Sequence, residues 1–146
     1  MSSSNRIAAT AATLSVIAAA IALAAPQAGA TVTSVRIERG QGFGSSESAR
    51  GTGCAYRVIA QTEPGREVAF LDEIDNDLSP TSFGPAFVVA DPSGAASTTW
   101  TPTKKGQHYL WVVERVSDEK GEGYSTDTPL TIGTGINVGP ACVVLP

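Results

Sequence analysis

Apolar and polar positions alternate in short runs along most of the chain, and turn sequences separate the runs. Three such runs follow each other at residues 87–90, 96–101 and 107–116. Residues 91–94 (DPSG) separate the first two with the residue order of a type I turn, and residues 103–106 separate the last two. Period-two runs joined by turns are typical of antiparallel sheets. The pattern predicts an all-β fold, an antiparallel two-sheet sandwich of seven to eight strands.

The run at 107–116 is apolar on both of its faces. A strand that is covered on one side only should instead alternate between apolar and polar residues. Alternate residues of a strand point to opposite sides of a sheet, and Trp and Tyr are enriched at interface centres. The face of this run that carries its Tyr and Trp therefore supplies candidate binding residues, together with one residue of the strand predicted at 67–72. These candidates are Leu71, Tyr109, Trp111 and Val113. The alternative is a covered face, with the 117–128 loop or the N-terminal segment folded over it.

Residues 1–30 have the composition of a secretory signal peptide. Arg6 supplies a weakly positive start, an Ala/Ile/Leu/Val-rich run follows, and the segment ends in Ala-Gly-Ala. We expect cleavage after Ala30, since small residues and high alanine content favour cleavage over a membrane anchor, the alternative for a run of this length. The remaining residues 31–146 have the size of one domain. We expect this domain to be secreted, with no stable membrane insertion after cleavage.

Cys54 and Cys142 are the two cysteines of the chain, and both lie in the part predicted to be exported. An even number of cysteines in an oxidising compartment is typical of a disulfide. Free thiols with a redox or metal-binding role would need partner residues that the sequence does not provide. We therefore predict a Cys54–Cys142 bond that joins a strand near the start of the domain to the last strand.

The densest acidic segment is residues 72–77, with the sequence DEIDND. Asp72, Asp75 and Asp77 are weak candidates for calcium ligands, because Ca²⁺ prefers carboxylate and amide oxygens. The segment lacks the central glycine and the closing glutamate of the helix-loop-helix calcium motif. Acidic residues and asparagine also suit a solvated loop. A loop leaving the strand is the simpler prediction, and no metal or cofactor is predicted.

Charge and motif content argue against nucleic-acid binding and against catalysis. Without Arg6, nine basic residues stand against fourteen acidic ones, a formal net charge of −5 that disfavours contact with polyanions. His108 is the single histidine, and no motif places a serine or cysteine nucleophile beside it. A catalytic base needs both a nucleophile and an orienting group. We therefore predict a non-catalytic protein in which His108 has a structural role.

Several spaced motifs run through residues 53–145. They are Val68-x-Phe70-x-Asp72, Gly94-x-Ala96-x-x-x-Trp100-x-Pro102, Gly106-x-His108-x-Leu110-x-Val112, Ser125-x-x-Thr128-Pro129-Leu130 and the ending GTGINVGPAC at 133–142. This order resembles bacterial Ig-like repeat domains, and the ending resembles a group exported as single domains by actinobacteria. The resemblance implies an immunoglobulin-like sandwich into which His108, Leu110 and Val112 point, so that Tyr109, Trp111 and Val113 face outward. Trp100 shares a strand face with Ala96, and we expect this large aromatic residue in the core. The resemblance also implies that His108 replaces the tyrosine of the tyrosine corner and hydrogen-bonds to nearby backbone.

Three functions of different classes are compatible with these observations. The resemblance implies a secreted module that binds a protein or a component of the cell envelope. The second is a carrier of a small apolar ligand, since actinobacterial Ig-like apoproteins that hold a chromophore are similar in size and acidity. Those proteins have two disulfides, whereas this chain can form one. A purely structural extracellular domain is the third. A flat apolar sheet face would favour the module, and a deep apolar cleft would favour the carrier.

Overall fold

The computed structural model describes residues 32–38, 42–44, 49–115 and 123–145, so the predicted signal segment lies outside the described residues. Within these ranges no helix is long and apolar enough to cross a membrane. The strands of the described ranges are, in chain order, β1 (Ser34–Ile37), β2 (Gly42–Gly44), β3 (Arg50–Gly51), β4 (Tyr56–Gln61), β5 (Glu67–Ile74), β6 (Asp77–Ser79), β7 (Phe83–Gly84), β8 (Phe87–Val89), β9 (Ala95–Trp100), β10 (Gly106–Glu114), β11 (Gly123–Ser125), β12 (Leu130–Asn137) and β13 (Cys142–Leu145).

The strands form two sheets with the strand order of an immunoglobulin sandwich. The first sheet has the order β1-β4-β9-β7, and the second has the order β2-β13-β12-β10-β5-β6. In the second sheet, β3 pairs with β12, β8 with β5, and β11 with β10. The first order matches strands A-B-E-D of an immunoglobulin domain, and β12-β10-β5 matches strands G-F-C. The predicted Ig-like sandwich is confirmed; six further short strands, of two to four residues, lie beside the seven principal ones within the described ranges.

The core lies between the sheets and follows the period-two pattern. On β10, buried positions alternate with more exposed ones from His108 to Glu114, and β5 shows the same alternation. Trp100 on β9 is fully buried, as predicted, with its ring stacked 6.5 Å from that of Phe83 and edge-on 5.8 Å from that of His108. At the far end of β10 the buried Glu114 carboxylate lies 3.3 Å from Arg66 Nε. The negative charge of this buried carboxylate is therefore balanced by the Arg66 guanidinium.

The acidic segment 72–77 is a hairpin, and the prediction of a solvated loop there is wrong. β5 continues to Ile74, Asp75 and Asn76 form the turn with φ of 53° and 65°, and β6 returns along β5. Two consecutive positive φ values are typical of a two-residue type I′ hairpin turn, which Asn and Asp tolerate. Asp72 is only 2% exposed. Its position continues the inward alternation of β5, so it points into the core rather than to solvent.

The predicted Cys54–Cys142 disulfide is present, with a Cα–Cα distance of 5.7 Å. Cys54 lies just before β4 in the first sheet, and Cys142 is the first residue of β13 in the second. The bond therefore crosses the sandwich from one sheet to the other. Both residues are buried, at 1% and 6% exposure, so the bond is part of the core.

Two glycines of β12 allow other strands to approach its backbone closely. A Cβ on Gly135 would collide with the Thr52 carbonyl oxygen and lie 2.7 Å from Cys54 Sγ. A Cβ on Gly133 would lie 2.6 Å from the Leu145 carbonyl oxygen. In the strand ladders, Gly133 is paired with Gly51 of β3, and Gly135 is paired with Val144 of β13. The glycines therefore leave room for neighbouring backbone at the disulfide end of the sandwich.

We expect Gly135→Ala to lower the free energy of unfolding by about 2 kcal/mol, the cost of overpacking a closed site. Thr134→Ala is the matched control, because Thr134 is half-buried on the same strand and its hydroxyl accepts from the exposed Lys105. Urea unfolding of both variants measures the difference. Equal stability of the two variants would contradict the close-approach explanation.

Candidate functional site

The outer face of the second sheet carries neighbouring apolar side chains. In the ladder between β10 and β5, Trp111 lies opposite Leu71, and Val113 lies opposite Ala69. Residues directly opposite each other in an antiparallel pair point to the same side of a sheet. Tyr109 is the preceding alternate position on β10. The four predicted binding residues are thus brought together on the side of the sheet that faces away from the core.

Two short edge strands extend this group beyond the predicted residues. The registers of β6 and β8 against β5 place Leu78, Phe87 and Val89 on the same side of the sheet. These three side chains are 50%, 53% and 59% exposed, and Tyr109 is 36% exposed. We call the whole group the outer face, and its members are Ala69, Leu71, Leu78, Phe87, Val89, Tyr109, Trp111 and Val113.

Charged groups border the outer face and orient its rings. The Trp111 indole Nε1 donates to Glu73 Oε2 at 2.5 Å. Near the opposite end of β10, Arg115 Nη1 lies 3.1 Å from Glu67 Oε2, and its guanidinium carbon lies 5.9 Å from the centre of the Phe87 ring. An apolar centre with a polar, partly charged rim is the usual composition of a protein interface. The half-buried indole is held in one orientation before any partner arrives.

The 117–128 loop and the N-terminal segment were the alternative to an exposed outer face. The described parts of both segments do not lie over this face. β11 pairs edge to edge with β10, with Trp111 opposite Ser125, so it extends the sheet instead of covering it. β1 pairs with β4 in the first sheet. Residues 116–122 and the chain before residue 32 lie outside the described residues, so a cover from these segments remains the alternative to test.

A second group of functional interest is a buried polar network around Asp72. Asp72 Oδ1 lies 2.8 Å from His108 Nδ1, and Asp72 Oδ2 accepts from Trp100 Nε1 at 2.9 Å and from Ser82 Oγ at 3.0 Å. His108 Nε2 lies 3.0 Å from the Lys104 carbonyl oxygen. The predicted backbone contact of His108 is therefore present. The network ties β5, β9, β10 and the loop before β10 to one carboxyl group.

The proton arrangement follows from the donors and acceptors. A carbonyl oxygen only accepts, so His108 Nε2 donates to Lys104. One proton then lies between His108 Nδ1 and Asp72, carried by either partner. This is not a catalytic triad: Ser82 bonds to the carboxylate instead of the imidazole, and both ring nitrogens of His108 are already engaged. The network holds the core together and offers no free base at the surface.

The three weak calcium candidates are not assembled into a metal site. Asp72 is engaged by His108, Trp100 and Ser82, whereas Asp75 lies in the hairpin turn. In the described part of the chain, no group of three His, Cys, Asp or Glu side chains is arranged to hold a metal ion. The choice of Asp72 as a candidate calcium ligand is thus corrected, because its carboxyl group is hydrogen-bonded inside the sandwich.

A pocket of about 230 Å³ opens on the inner side of the β5–β6 hairpin, between that hairpin and the loop before β10. Its lining residues are Asp72, Ile74, Asp77, Ser79, Thr81, Ser82, Thr103 and Lys104. Seven of these eight side chains are polar or charged. Sequence reasoning missed the pocket, since it appears only when residues 75–76 turn and bring β6 back along β5.

No protein-family model matches the chain, and no curated protein matches it. Among solved structures, the chain is similar to "WR4, a C.elegans MSP family member", at 9% sequence identity. The match covers 77% of this chain and 97% of that chain, with a TM-score of 0.30. A likeness of this size carries no conclusion about function.

Proposed function

We propose that this chain is a secreted, non-catalytic Ig-like module that binds a protein or cell-envelope component through the outer face of its second sheet. We further propose that it is of the exported single-domain, actinobacterial Ig-like type. One observation carries the binding proposal: eight neighbouring apolar residues face away from the core, and four of them are at least 36% exposed. Large exposed apolar patches are rare on monomers and mark interaction sites.

The composition of the outer face indicates what kind of partner it binds. The aromatic side chains of Phe87, Tyr109 and Trp111 lie among aliphatic ones. At the rim, Arg115 is paired with Glu67, and the Glu73 carboxylate accepts from the Trp111 indole. Such a face suits a flat, apolar protein surface with a polar border. The mature chain's formal net charge of −5 gives no support to nucleic acid as the partner. The disulfide is compatible with the oxidising compartment that secretion implies.

The carrier alternative is less well supported. An apolar ligand of drug size needs an apolar cavity, of about 300 Å³ or more. The pocket beside the β5–β6 hairpin is smaller, at about 230 Å³, and its lining is mostly polar. A purely structural role without a partner does not explain why the apolar side chains of Phe87 and Val89 are exposed.

We expect Trp111→Ala to remove partner retention while lowering the free energy of unfolding by less than about 2 kcal/mol, since the side chain is only half-buried. Retention is measured with the purified mature domain immobilised against the producing organism's culture fluid and cell-wall fraction, and stability by urea unfolding. Thr99→Ala is the matched control, because Thr99 is exposed on the outer side of the first sheet. We expect it to retain the partner.

A stability loss of about 3 kcal/mol or more for Trp111→Ala would indicate a covered indole in a second core. That result would contradict the binding proposal and favour a cover from residues outside the described ranges. Equal retention by Trp111→Ala and Thr99→Ala would also contradict it.

A further inference from the structure

We propose that the pocket beside the β5–β6 hairpin binds one neutral sugar ring, such as a terminal hexose of a glycan. This site is separate from the outer face: the pocket residues of β5 and β6 are at inward positions, whereas Leu71 and Leu78 point outward. The inference therefore goes beyond the proposed function and does not depend on it.

The pocket is held in shape by the buried network. The Ser82 hydroxyl donates to Asp72, which fixes one wall. His108 Nε2 donates to the Lys104 carbonyl, which fixes the loop that forms the opposite wall. Ser79 lies opposite Asp72 in the β5–β6 ladder, which fixes the third side. Two sides are hydrogen-bonded to the carboxyl–imidazole pair, and the third is held by the backbone ladder of the hairpin. The site is therefore formed before a ligand binds, which lowers the ordering cost of binding.

The lining has the donors and acceptors that a polyol requires. Sugar hydroxyls both donate and accept, so a sugar site needs groups of both kinds. Four lining side chains carry hydroxyls, and these are Ser79, Thr81, Ser82 and Thr103. Ser79 Oγ and Thr81 Oγ1 are hydrogen-bonded to each other at 2.8 Å, so one of their two protons is left to donate to a ligand. The Asp77 carboxylate accepts only, and the Lys104 ammonium donates only. Because Ser82 uses its proton on Asp72, its lone pairs are left to accept from a ligand hydroxyl.

Size and charge narrow the ligand class further. A volume of about 230 Å³ has room for roughly eight waters at liquid density, which is close to one sugar ring. Ile74 supplies an apolar contact for the C–H groups of such a ring. Asp72 and Asp77 against Lys104 disfavour an acidic sugar, because its carboxylate would meet two others.

The test is an amide-detected NMR titration of the full mature domain with glucose, galactose and mannose, and with glucuronate as the acidic comparison. We expect saturable shifts at residues 77–82 and 103–104 with at least one neutral hexose, with a dissociation constant in the millimolar range, and weaker binding of glucuronate. Thr103→Val removes one exposed hydroxyl at constant shape and should weaken binding about fivefold. Thr99→Val, exposed on the first sheet, should leave it unchanged.

The absence of saturable shifts with all three hexoses would overturn the sugar proposal. Shifts that Thr103→Val leaves unaltered, or tighter binding of glucuronate than of every neutral hexose, would overturn it as well. Leu71→Arg separates this result from the proposed function. The variant changes the outer face only, so it should abolish partner retention and preserve hexose binding.

Discussion

Asp72→Leu should lower the free energy of unfolding by about 3–5 kcal/mol, the range seen when one member of a buried charged or hydrogen-bonded pair is removed. Leucine leaves Trp100 Nε1, Ser82 Oγ and His108 Nδ1 without the carboxyl group to which all three are hydrogen-bonded. An unpaired buried polar group costs its full desolvation free energy. Urea unfolding, followed by far-ultraviolet circular dichroism, measures the loss.

Asp72→Asn is the matched variant, and it should cost less than about 1.5 kcal/mol. The amide oxygen of asparagine accepts from Trp100 and Ser82, and its NH₂ group donates to a neutral His108 at Nδ1. Every hydrogen bond of the network is then retained without a charge. A loss for the Asn variant as large as that for Leu would contradict the hydrogen-bond explanation and show that the network requires the carboxyl group itself.

The second large effect concerns the disulfide. Replacing both Cys54 and Cys142 by alanine should lower the free energy of unfolding by about 4–5 kcal/mol, since the bond closes a loop spanning 88 positions. The bond limits the conformational freedom of the unfolded chain, and both half-cystines are buried, so lost packing adds to the effect. The measurement is urea unfolding of the double variant beside the oxidised wild-type domain.

Wild-type domain unfolded with a thiol reductant present is the control for this substitution. It loses the crosslink but keeps both sulfur atoms, so it should lie between the oxidised protein and the double variant. A double variant as stable as the oxidised protein would contradict a stabilising role for the bond.

Local alternation was enough to predict the sandwich, because each core strand shows its period in its own residues. Parity placed His108, Leu110 and Val112 on one face and Trp111 on the other, and the resemblance to Ig-like domains indicated that the first face points inward, as it does. The disulfide followed from the number of cysteines in a chain with a predicted leader. The alternation depends on residues that are neighbours in the sequence, and the disulfide prediction depends on the number of cysteines. Both are visible in a single sequence.

The Asp72 network and the pocket depend on contacts between distant residues. Asp72 lies 36 positions before His108 and 28 before Trp100, so their hydrogen bonds are not visible in any local pattern. The motif resemblance included all three residues but did not indicate that they meet. The hairpin turn was missed because Asp75-Asn76 suits a loop as well as a type I′ turn. Without that turn, Leu78 could not be assigned to the outer face.

The most direct test of the binding account is site-specific photo-crosslinking from the outer face. A benzoylphenylalanine at position 109 should form an adduct with a discrete partner, and the same group at position 99 on the first sheet should not. The partner, once purified, should bind the wild-type domain and Thr99→Arg but not Leu71→Arg. Adducts of equal yield from positions 109 and 99, or a purified partner that binds Leu71→Arg as tightly as the wild-type domain, would contradict the account.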